Sequence, residues 1–72
     1  MKYVVVIEKG SSNYSAYVPD LPGCVAAADT VEETEQLIRG AIELHIKGMR
    51  EDGIAIPPPQ SLVREVEIPV SV

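Results

Sequence analysis

The chain has no tryptophan and no phenylalanine, one cysteine, one histidine, and three aromatic residues in all, Tyr3, Tyr14 and Tyr17. A single cysteine, Cys24, excludes an internal disulfide, and Cys24 with His45 falls short of the ligand set of a structural zinc site. Basic residues are scarce: six Lys and Arg stand against eleven Asp and Glu, a net charge of −5. Without a Lys/Arg cluster the surface lacks the electrostatic footprint of a phosphate binder, so a basic protein is the expected partner rather than nucleic acid. No apolar run approaches the ~18 residues of a membrane span, and the amino terminus does not read as a secretory signal. These absences point to a cytoplasmic protein with no membrane segment and no cofactor.

What is present reads as one domain over residues 1–72, because two folded units would each be too small to hold a core. At this size the hydrophobic gain and the conformational entropy lost on folding nearly cancel. Self-association, as a homodimer or higher homo-oligomer, is therefore expected.

Lys2 to Glu8 is a β-branched run that ends in the turn material Lys9-Gly10-Ser11-Ser12-Asn13. Tyr14 to Val18 reads as the second strand of a hairpin, and Pro19-Asp20-Leu21-Pro22-Gly23 breaks it before a third strand over Cys24 to Ala28. Thr30-Val31-Glu32-Glu33 fits a capping box and opens a helix that the pattern carries from about Val31 to about Asp52, with Gly53 in the left-handed position after it. At 100° per residue, Val31, Thr34, Ile38, Ala41, Ile42, His45 and Met49 share one arc, which is expected to face the sheet. Glu32, Gln36, Arg39, Glu43, Lys47, Arg50 and Glu51 fall opposite. Leu37, Leu44 and Gly48 form a further stripe to one side, and since glycine inside a helix costs about 1 kcal/mol relative to alanine, these three residues are the candidate association surface.

Pro57-Pro58-Pro59 reads as a stiff elbow, and Leu62 to Val70 as a fourth strand with charges on one face and Pro69 near its end, as edge strands carry. The order β-β-β-α-β predicts an α+β fold: a four-stranded mixed sheet of order 3-2-1-4 with one long helix packed on one face. The other sheet face is left bare.

Lys2-Tyr3-x-Val5-Val6-Ile7-Glu8, Tyr14-x-Ala16-Tyr17-Val18-Pro19-Asp20-Leu21-Pro22-Gly23-Cys24, Asp29-Thr30-x-Glu32-Glu33 and Ala41-Ile42-Glu43-Leu44 together resemble HicB-like antitoxins over Lys2 to about Pro59. The resemblance implies a partial ribonuclease H-like fold. It also implies a HicA-like toxin as partner, a small basic mRNA-cleaving protein that the module would neutralise by direct binding in a type II toxin–antitoxin system. Many family members continue into a ribbon-helix-helix or helix-turn-helix segment that binds their promoter. This chain stops at Val72, so direct DNA binding is not expected. Two alternatives stay open: a stand-alone self-associating structural or regulatory module without a toxin, and a ribonuclease H-like nuclease fragment.

No residue reads as catalytic, cofactor-binding or metal-ligating. His45 sits within the sheet-facing arc and reads as a packed histidine rather than a general base. Glu8, Asp20 and Asp29 invite a shared metal site, but a proline-bracketed turn, a strand end and a helix cap explain them separately. Cys24 lacks a histidine placed to activate it and reads as a small buried residue. The protein is expected not to be an enzyme.

Overall fold

The computed structural model describes residues 1–71. Three strands form an antiparallel meander in the order β1-β2-β3, with β1 at Val6–Lys9, β2 at Tyr14–Tyr17 and β3 at Val25–Ala28. One helix, α1, spans Val31–Glu51. The register pairs Val6 with Tyr17 and Ile7 with Ala16, then Ala16 with Ala26 and Tyr17 with Val25. Because side chains alternate across a strand, Ile7, Ala16 and Ala26 lie in one row under the helix, and Val6, Tyr17 and Val25 in a row on the opposite face.

The helix begins where the capping signal places it. Thr30 is extended and its hydroxyl accepts from the Glu33 amide at 3.1 Å, while the acidic Glu32 and Glu33 stand at the positive end of the dipole. It ends at Asp52 in a Schellman arrangement: Gly53 N–H donates to the Arg50 carbonyl and Ile54 N–H to the Met49 carbonyl, with Gly53 at φ 68°. Thr34 and Ile38 are buried, and Ala41, Ile42, His45 and Met49 are half-buried, so the expected arc faces the sheet; Val31, at its first turn, is exposed. The Thr34 hydroxyl, inside the core, donates to the Thr30 carbonyl at 2.7 Å, which removes the cost of burying it.

The core is small: Ala16, Val18, Leu21, Cys24 and Ile38, with Tyr3, Val5, Ile7, Ala26, Ala41 and Ile42 packed around it. Leu21, from the loop between β2 and β3, is its most enclosed apolar side chain at 0% exposure. The helix lies over β3 and β2 rather than over β1.

Among the described residues the sheet has three strands, and the expected fourth strand of the order 3-2-1-4 is not formed. Among the described residues, 62–71 adopt no regular structure and take no place beside β1. The cause is the route of the chain after the helix, which is tied down at two points that send it away from that edge. The radius of gyration, 14.8 Å, exceeds the ~11 Å of a compact 72-residue domain, and the long axis reaches 54 Å.

Candidate protein-binding site

The first tie is the Tyr3 hydroxyl, which donates to the Pro57 carbonyl at 2.6 Å. The second is Asp20. Its Oδ2 accepts from the backbone N–H groups of Gln60 and Ser61, both at 2.9 Å, and its Oδ1 accepts from the Ser61 hydroxyl at 3.0 Å. The Ser61 amide, followed by that of Gln60, holds the Asp20 carboxyl below its ordinary value of 3.8, because both bonds favour the ionised form. The antiparallel register that pairs Val6 with Tyr17 brings Tyr3 and Asp20 to the same end of the sheet, so both ties lie at that end.

The loop that presents Asp20 is built from its own backbone. Leu21 N–H donates to the Val18 carbonyl, Cys24 N–H to the Leu21 carbonyl and Val18 N–H to the Cys24 carbonyl, while Gly23 takes φ 86°. These bonds fix the turn with Leu21 pointing into the core and Asp20 outward. The prolines at 19 and 22 lack donors where this pattern needs none. Cys24 is 3% exposed, and burial raises its thiol pKa, which is the opposite of what a nucleophilic cysteine requires.

The three carboxylates singled out in the sequence do not converge. Glu8 is exposed on β1, Asp20 is engaged by Gln60 and Ser61, and Asp29 is exposed beyond the far end of β3. Among the described residues no group of three His, Cys, Asp or Glu side chains could hold a metal ion. No described helix is long and apolar enough to cross a membrane.

Two surfaces remain for protein contacts. On α1, Leu37 is 52% and Leu44 72% exposed, and a Cβ added at Gly48 would meet nothing within 4 Å. Helical spacing aligns these three with Gly40 and with the exposed Glu33 and Glu51, so an apolar strip is bracketed by carboxylates. The second surface is an open groove of about 690 Å³ between β1 and α1, floored by Val5, Ile7, Ile38, Ile42 and Ile46. Lys2, Glu35, Arg39 and Glu43 stand around it. The sequence does not announce this groove, because it exists only where the helix stops short of β1.

The chain is 38% identical over 69 residues to an uncharacterised 14.9 kDa protein of Haemophilus phage HP1, covering 96% of this chain and 52% of the phage protein, so it spans about half of that relative's length. It is 38% identical over 64 residues to a UPF0150 protein of Helicobacter pylori, covering 88% of this chain and 89% of that one. Among solved structures, a HicA3 and HicB3 toxin–antitoxin complex superposes with a TM-score of 0.70 at 28% identity, covering 82% of this chain and 70% of the matched chain. The model of the HicB-like antitoxin of bacterial toxin–antitoxin systems matches residues 3–69, nearly the whole sequence. The chain therefore belongs to the HicB-like antitoxin family.

Proposed function

We propose that the protein is a non-catalytic, cytoplasmic antitoxin module that neutralises a small basic HicA-like ribonuclease by binding it directly. The observation that carries this reading is the superposition on a HicA3 and HicB3 toxin–antitoxin complex, made by a chain of net charge −5 whose exposed apolar strip lies between carboxylates. Opposite potentials steer association and fix register, and an apolar centre with a charged rim is how such contacts divide affinity from specificity. In this reading Leu37, Leu44 and Gly48 form the centre of the toxin contact and Glu33 and Glu51 its acidic rim. The module works in the partial ribonuclease H-like arrangement, with residues 62–70 as a fourth strand beside β1. It acts as a protein binder and not as a DNA binder.

The test is co-expression with a HicA-like toxin, following growth and cellular mRNA. Relief of toxicity by the wild type, lost in Leu44→Glu, supports the reading. A HicA-like toxin left fully active, or mRNA cleavage by this chain alone, overturns it.

A further inference from the structure

Two unpartnered parts of the chain fit one another. The first is the outer edge of β1, which pairs with β2 on one side only and has the apolar groove beside it, on the helix face of the sheet. The second is the segment 62–70, LVREVEIPV, whose Leu62, Val63, Val66, Ile68 and Val70 are all between 68% and 87% exposed. We propose that residues 62–70 of one copy lie as a fourth strand along β1 of a second copy, and reciprocally, so that the protein is a strand-exchanged homodimer.

The segment has the chemistry of a strand that pairs on one edge. Leu62, Val66, Ile68 and Val70 share a parity, with Arg64 as the exception, and present a mainly apolar face, while Val63, Glu65 and Glu67 hold the other. Placed beside β1, the first set covers the floor of Val5, Ile7, Ile38, Ile42 and Ile46, and the glutamates lie on the open face. Pro69 has no N–H, and its alternation partners 63, 65 and 67 point their backbone groups the same way. That side must face solvent, so the donors of 62, 64, 66, 68 and 70 are the ones that bond to β1. Arg64, the charged residue on the groove-facing parity, matches Glu35 and Glu43 at the groove.

The two ties select a second copy as the source of the strand. Tyr3 holds Pro57 at the start of β1, and four residues later Asp20 holds Ser61 beyond the end of β2. The chain thus crosses the end of the sheet from β1 toward β2 and leaves travelling away from its own free edge. Returning would require a reversal at Leu62 and Val63, within the apolar strand itself. A stiff three-proline hinge beneath an unpaired strand favours exchange between copies over closure within one. Each copy contributes its nine residues Leu62 to Val70 and the eleven that line its groove, the low end of the ~20–30 residues per side of a stable interface. The family match extends to residue 69 and so includes all of the segment but Val70.

Sedimentation of the full chain is expected at twice its 7.8 kDa mass. Val66→Pro removes a donor on the pairing side of both strands and is expected to weaken the dimer about a hundred-fold, whereas Glu65→Pro removes one on the solvent side and leaves it intact. Because the segment lies outside the core, circular dichroism should show the helix unchanged in both. Isotope-filtered NOEs in a mixed labelled sample should connect residues 62–70 of one copy to β1 of the other. A monomeric wild type, a Val66→Pro protein that dimerises as well as the wild type, or NOEs that join the segment to β1 of its own copy would each overturn the proposal.

Discussion

The carboxylate of Asp20 grips Ser61 twice, at the backbone amide and at the hydroxyl, across 41 residues of chain. It takes the Gln60 amide as well, so one side chain in the β2–β3 loop fixes where the segment after the helix leaves the body of the protein. The loop has no freedom to move away, because its Leu21 is locked in the core.

This clasp depends on pH. The folded pKa of Asp20 is lowered, so its contribution is present above the unfolded value and is lost as pH falls through the folded one, below the ordinary 3.8. Acid titration followed by NMR should release the Gln60 and Ser61 amides together in that range. Asp20→Ala, which removes both acceptor oxygens, should expose both amides to exchange at neutral pH. Unchanged protection in Asp20→Ala would show that the clasp does not hold the segment.

Tyr3 is the other tie, and Phe at this position keeps the ring while leaving the Pro57 carbonyl to water. Denaturant unfolding of Tyr3→Phe should show a loss of about 1 kcal/mol with an unchanged m-value. A neutral substitution would mean that water replaces the hydroxyl without cost.

Local signals were the legible ones. Thr30 with Glu33, Gly53 after the helix, and the 3.6-residue arc of Thr34 and Ile38 each act within a turn or two of chain, so their pattern survives in a linear reading. The alternation of Leu62 to Val70 likewise declares a segment suited to a strand, but period alone does not say which edge it joins or whose chain supplies that edge. Asp20 gave no such signal: an aspartate between prolines has a sufficient local explanation, and its partners lie 40 and 41 residues away. The groove was equally hidden, since it arises from the position of α1 over β2 and β3, a packing outcome that neither element encodes alone.

Gly23 is a site where backbone conformation alone decides the outcome. Its φ is 86°, and a Cβ there would touch nothing within 4 Å, so any cost of Gly23→Ala is strain rather than collision. Thermal unfolding should show a loss of about 1–2 kcal/mol. A smaller effect would require the loop to adopt another turn, which a shift of the Asp20 and Leu21 resonances would reveal.

The helix strip separates stability from recognition. Leu44 is 72% exposed and Gly48 has open space above its Cα, so neither Leu44→Glu nor Gly48→Ala disturbs the core of the free protein. Gly48→Ala should stabilise the isolated chain by about 1 kcal/mol, the intrinsic helix preference of alanine over glycine. Leu44→Glu should change stability by less than about 0.5 kcal/mol. If the strip is the toxin contact, both substitutions act in the complex. The carboxylate buries an unpaired charge, and the new methyl group separates backbones that a glycine lets approach. Titration calorimetry against the partner should then show loss of binding for Leu44→Glu and weakened binding for Gly48→Ala, the variant with the more stable fold. Full affinity in both would move the toxin contact off this face of α1.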